Sequence, residues 1–153
     1  MVVKMRIKID PIDLRLIHEL AENSRLSCNE LAKKLKISRQ RVARKLKKLE
    51  QYGVIKKYTI IPNFEKLDYV YASLGITLQP NAPIEEIIER LKKDRDVKVI
   101  ERGIGSHDII LRVAVPKSLK GMEEKIHEIT RTIGYVKDID KTIITEVSKF
   151  EIL

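Results

Sequence analysis

Between Ser38 and Gly53 the chain carries a helix with both ends marked and its faces sorted. Ser38 suits an N-cap, because its hydroxyl can accept from a first-turn amide that has no partner inside the helix. Gly53 suits the stop, since glycine takes the left-handed backbone that closes a helix. Val42, Leu46 and Leu49 recur between them at i, i+4 and i+7, the spacing of a buried stripe. Two shorter helices are expected upstream. Asp10-Pro11 opens the first, with Asp as cap and Pro at the first helical position. Ile12, Leu16, Ile17 and Leu20 share its inner side, and it should end near Asn23. Ser27-Cys28-Asn29-Glu30 is a capping box, in which Ser27 and Glu30 each satisfy the other's backbone amide. It starts a helix that turns Leu31, Ala32 and Leu35 inward. The tight turn Lys36-Ile37-Ser38 then leads to the third helix, from about Arg39 to Tyr52. The pattern is a helix-turn-helix built on three helices.

Charge singles out the same segment. Residues 1–61 hold 16 Lys and Arg against 6 Asp and Glu, a net of +10, while residues 62–153 hold 15 against 16, a net of −1. A polyanionic partner for the first part alone follows, because a merely solvated surface usually carries both signs. In a recognition helix the residues near the N-terminus reach base edges. Arg can grip guanine O6 and N7, and Gln can grip adenine N6 and N7. Ser38, Arg39, Gln40 and Arg41 are therefore candidates at the start of the helix. Arg44, Lys45 and Lys48 lie further along and are expected to grip phosphates, which position a protein without reading sequence. Arg41, Arg44, Lys45 and Lys48 are expected to line one exposed side. The expected partner is double-stranded DNA.

Other classes find little support. The one cysteine, Cys28, excludes an intrachain disulfide and a multi-Cys zinc site. His18 and His127 stand isolated on helices, so no metal site is expected. No nucleophile, phosphate loop or metal cluster points to an enzyme. His107 and Asp108 are adjacent, and neighbours on a strand point to opposite faces rather than converging. No cofactor is implied. Met1-Val2-Val3-Lys4-Met5-Arg6 lacks an apolar run of signal length, and nothing approaches a membrane span. A cytoplasmic protein is expected, and the abundance of Lys, Glu and Ile without Trp fits a thermophile.

After the helices comes the β-rich run Val54-Ile55-Lys56-Lys57-Tyr58-Thr59-Ile60-Ile61, expected to form a short hairpin or wing. Residues 1–61 are thus expected to form one domain, 62–66 a linker and 67–153 a second domain. That second part reads β-α-β-β-α-β. Ala72, Leu74, Ile76 and Leu78 alternate with Tyr71, Ser73, Gly75 and Thr77, the period of a half-buried strand. A helix is expected from Pro83 to Lys93. Strands Lys98–Gly105 and Asp108–Val115 follow, joined by the turn Gly105-Ser106-His107-Asp108. A helix from Leu119 to Ile133 and a last strand from Val136 to Lys149 complete the pattern. Two such halves make a ferredoxin-like sandwich, so the whole chain is α+β.

Several segments resemble the Lrp/AsnC family of transcription regulators. They are Ile9-Asp10-Pro11-Ile12-Asp13, Asn23-Ser24-Arg25 with Leu31-Ala32, Leu35-Lys36-Ile37-Ser38, and Leu49-Glu50-Gln51-Tyr52-Gly53-Val54-Ile55. The C-terminal pattern is similar to the family's ligand-sensing RAM domain, and the resemblance covers nearly the whole chain. It implies homodimers, assembled into octamers or other rings, and an amino-acid effector bound near the central turn and the last strand. Carried onto this sequence, Gly103, Gly105, Ser106, His107 and Asp108 would meet the effector, together with Thr142. An Asp there could hold an ammonium, and turn amides a carboxylate. The family's last strand often carries Thr-x-Thr. Here the stretch is Asp138-Ile139-Asp140-Lys141-Thr142, which leaves an unusual effector, or none, as alternatives. The resemblance implies an effector-tuned regulator. A DNA-wrapping protein without a ligand uses the same basic helix and is the competing expectation.

Overall fold

The computed structural model describes residues 7–149. They fall into two compact units, one running to Ile61 and the other spanning Pro62–Ser148.

The first unit holds α1 (Pro11–Glu22), α2 (Cys28–Leu35) and α3 (Arg39–Gln51). Each start is chemically marked. Asp10 and Asp13 form a capping box at α1, Ser27 and Glu30 another at α2, and the Ser38 hydroxyl accepts from the Arg41 amide at α3. Lys36 stops α2 in a left-handed conformation, φ 54°, and so makes the sharp turn into α3. Gly53, at φ +67°, ends α3 where a side chain would be strained. Leu16, Leu20, Leu31, Leu35, Val42 and Leu49 form the core. Leu46 and Cys28 pack against its margin.

No strand forms in residues 54–61, contrary to the expected hairpin or wing. The run contains no Gly, Asn, Asp or Pro to fold it back on itself, and no partner strand lies in this unit among the described residues. Instead the amides of Val54 and Ile55 both donate to the Leu49 carbonyl. The Tyr58 hydroxyl donates to Glu50 Oε1 at 2.7 Å, tying the run back to α3. A 3-10 turn at Phe64–Leu67 occupies most of the segment expected as a linker.

The second unit contains β1 (Tyr69–Leu78), α4 (Ile84–Leu91), β2 (Val97–Arg102), β3 (Ile109–Pro116), α5 (Leu119–Ile133) and β4 (Val136–Ile144). The sheet is antiparallel in the order β2-β3-β1-β4. This is the ferredoxin-like arrangement. Ala72, Leu74, Ile76 and Leu78 of β1 face the core with Ile87, Leu91, Ile126, Ile129 and Ile133 of the two helices. Lys125 closes the far side of α5 with Asp94 at 3.0 Å, Asp96 at 2.9 Å and Glu128 at 3.2 Å.

Strand β4 stops at Ile144, short of the expected Lys149. Ile144 already pairs with Tyr71, and β1 begins only two residues before that, so its template runs out. The opposite sheet face carries Tyr71, Ser73, Gly75 and Thr77 from β1. Arg112 from β3 and Thr142 from β4 stand either side of Ser73. Helices α4 and α5 pack on the other face, against Ala72, Leu74, Ile76 and Leu78.

Candidate nucleic-acid interface

The sides of α3 are set by what α1 offers them. Val42 and Leu49 are fully buried and Leu46 half-buried. Lys45 is buried too, at 8% exposure. Its Nζ lies 2.5 Å from Asp10 Oδ2 and 2.8 Å from Asp13 Oδ1. Asp13 is itself wholly buried. Lys48, one turn on, reaches Asp13 Oδ2 at 3.4 Å and donates to the Lys8 carbonyl at 3.0 Å. Two carboxylates and two ammoniums thus compensate each other between the start of α1 and the middle of α3.

The ionisation of these groups follows from that geometry. The Lys45 hydrogen bond, aided by the Asp13 amide, holds the Asp10 carboxyl down at about 2. Burial alone would raise Asp13, but the bonds from Lys45 and the Asp10 amide outweigh it and lower its pKa. Burial would likewise lower Lys45, and its two carboxylates raise it instead. All three stay charged near neutral pH.

This corrects the expectation for Lys45. It does not stand on an exposed side with Arg41 and Arg44, because a buried carboxylate draws it inward. Lys45 stands three residues after Val42 and four before Leu49, on the inner side of α3, and faces Asp13, which shares the buried side of α1 with Leu16 and Leu20. Lys48 is half-engaged in the same way.

The exposed side is correspondingly different. Gln40, Ala43, Arg44, Lys47 and Gln51 are all exposed and follow i, i+3, i+4, i+7 and i+11. They lie opposite the Val42/Leu49 stripe. Arg39 and Arg41 are exposed on its two flanks. The oxygen of Ser38 is occupied as a cap acceptor, with its residue still exposed at the start of the helix. Lys47 was not among the expected contacts. Its signal was present in the spacing, which places it one turn beyond Arg44 and away from the buried stripe.

The expected effector residues gather around the six-residue turn between β2 and β3. The Gly103 amide donates to the Asp108 carbonyl at 3.0 Å and closes the turn. Asp108 Oδ2 accepts from the Leu78 amide at 2.7 Å, and the Ser106 carbonyl accepts from Thr77 Oγ1 at 3.0 Å. The His107 ring lies against Gly75 of β1. A Cβ at Gly75 would meet that ring at 2.6 Å, so glycine alone leaves room for it. His107 Nε2 is 3.3 Å from Asp140 Oδ2, and its Nδ1 is buried without a hydrogen-bond partner among the described residues. Thr142 stands two residues beyond Asp140 on the same sheet face. Gly105 sits in the exposed part of the turn beside the fully exposed Ile104.

A family model described as winged helix-turn-helix DNA-binding matches residues 9–56, which span all three helices of the first unit. An uncharacterised HTH-type transcriptional regulator of Pyrococcus horikoshii is 39% identical over 146 residues, 95% of this chain and 99% of that protein. Its crystal structure superimposes with a TM-score of 0.91, covering 97% of this chain and 100% of the other. The structure of LrpC from Bacillus subtilis, 28% identical, gives a TM-score of 0.79 over 95% of this chain and 100% of that one. The chain belongs to the Lrp/AsnC family. As an Lrp/AsnC protein it is a DNA-binding transcriptional regulator and not an enzyme. A regulator from Neisseria meningitidis, solved as a complex with L-Met, shares the Lrp/AsnC fold at 19% identity and a TM-score of 0.82, with 95% of each chain covered. Among the described residues no helix is long and apolar enough to cross a membrane. No group of three or more His, Cys, Asp or Glu among them is arranged to hold a metal ion.

Proposed function

We propose that this Lrp/AsnC regulator reads specific DNA sequences with the outer side of α3 and is tuned by an amino acid at the β2–β3 turn. One observation carries the DNA part. Arg44 and Lys47 stand exposed opposite the buried stripe, while Lys45 is committed to carboxylates. Gln40, Arg39 and Arg41 at the helix start are the base readers, with Ser38 beside them, and Arg44 and Lys47 hold phosphates. Lys48 has a weaker share. A homodimer, assembled into an octamer or another ring, would present two such helices to successive major-groove faces. The sheet face left uncovered by α4 and α5 supports that association. Footprinting on genomic fragments tests the specific form: protected sites should be palindromic, and protection no better than on random DNA would defeat it.

The effector part rests on the turn Gly103–Asp108 and Thr142, and on the L-Met bound by the Neisseria regulator. A second form, a DNA-organising protein without an effector, gains support from the commitments already made inside the turn. Asp108 is bonded to the Leu78 amide and Ser106 to Thr77. Thermal-shift screening of the twenty amino acids separates the two. A rise in melting temperature with one of them favours the tuned regulator, and silence from all twenty favours the organiser.

A further inference from the structure

An apolar stripe sets which side of a helix is buried, but burial is non-directional and fixes the exact rotation within that side only loosely. The inner stripe of α3 is aliphatic, and Leu46 is only half-buried. Something with direction is needed to decide which side chains end up outermost. The network at the start of α1 has that property. Asp10 and Asp13 are locked to the backbone by their capping box, through the Asp10 amide to Asp13 Oδ2 at 3.0 Å and the Asp13 amide to Asp10 Oδ1 at 2.8 Å. They therefore present fixed oxygens to Lys45, which bridges both, and Asp13 reaches Lys48 as well. Lys45 and Lys48 are three residues apart and lie on one side of α3, giving two points of attachment.

We propose that Asp13 is the positioning residue of the recognition helix: with Asp10, and acting through Lys45, it fixes the rotation of α3 and thereby which side chains meet DNA. A buried ion pair adds little stability over well-packed apolar residues, so its contribution here is direction. The arrangement also removes Lys45 from the charges offered to phosphate and leaves that role to Arg44 and Lys47. The proposal concerns the DNA-binding helix alone and holds whether or not an amino acid acts at the turn.

The test uses the full chain and two probes: a duplex selected from a random pool by the wild-type protein, and an unselected random duplex. Affinity for both is measured over a salt series, with circular dichroism to verify folding. Asp13→Asn should lower the selected-over-random ratio roughly 10-fold without weakening the random duplex, as expected when specific contacts are lost and phosphate contacts kept. Lys45→Met should leave the salt slope unchanged, whereas Lys47→Ala should reduce it by about 0.9, the loss of one phosphate contact. Should Asp13→Asn unfold, the apolar pair Asp13→Leu/Lys45→Met keeps the site packed, and it too should show the lowered ratio. A wild-type ratio in a folded Asp13 variant overturns the proposal. So does a Lys45→Met slope reduced as far as that of Lys47→Ala.

Discussion

Gln40 and Arg44 differ in what their loss should look like. Gln40→Ala should relax preference at one base position and cost about 1–3 kcal/mol there, read by competition among single-base variants of a selected site. Arg44→Ala should weaken all sequences alike and flatten the salt dependence. A uniform loss from both would erase the division between base and phosphate contacts. Gly75 is held to glycine by the ring beside it. Ala at that position puts a methyl against the His107 ring, with contacts near 2.6 Å. Either the ring leaves the sheet or the strands part, so Gly75→Ala should lower stability by about 1–3 kcal/mol in a denaturant melt. The sequence hid this close approach, since a glycine within an alternating strand gives no hint of which side chain lies over it. Lys45 was hidden for a similar reason. At i+3 from Val42 and i−4 from Leu49 it falls on the inner side of α3 by spacing, but its charge type points to solvent until Asp10 and Asp13 are placed beside it.

At the scale of elements, caps and network differ in weight. Ser38→Ala removes one cap acceptor and should cost about 1 kcal/mol. Asp13→Ala leaves Lys45 buried with half its partners and should cost about 3–5 kcal/mol, the larger effect by thermal or chemical melting. The same carboxylates set the acid response. A carboxyl lowered on folding stabilises above its unfolded pKa, and that stability is lost as pH falls through the folded value. Asp10 at about 2 and the lowered Asp13 therefore predict that helical signal is retained at pH 5 and declines between about pH 4 and 2. Asp94, lowered against its burial by the Asp96 amide and Lys125, adds to the decline from the second unit. Lys45→Met should flatten the part that belongs to the first unit. An acid titration unchanged by Lys45→Met would count against the network. Helix boundaries were legible because capping chemistry is local: Asp10, Ser27 and Ser38 each mark a start in the structure. The run 54–61 forms no strand because β-rich composition does not itself supply a partner strand, and none lies in this unit among the described residues.

Across the whole molecule, the ferredoxin-like sandwich was readable from periodicity, since strand and helix periods alternate cleanly from Tyr69 to Ile144. Strand ends were less so, because β4 stops where β1 ceases to offer partners rather than at a residue of its own. The turn expected at Gly105–Asp108 is longer, Gly103–Asp108, because β2 stops at Arg102 rather than Gly105, and the backbone commitments of Asp108 and Ser106 depend on β1 and could not be read from the turn itself. If an amino acid binds there, oligomer mass measured by light scattering should change or sharpen on its addition. The proposed homodimer should persist on dilution, and a monomer at every concentration would oppose it. Selection from a pool of random duplexes by the wild-type protein asks whether the outer side of α3 reads DNA sequence. Enrichment of a palindromic site, with half-sites about one helical turn or a multiple apart, is the predicted result. A pool that emerges from repeated rounds no different from its input would contradict it.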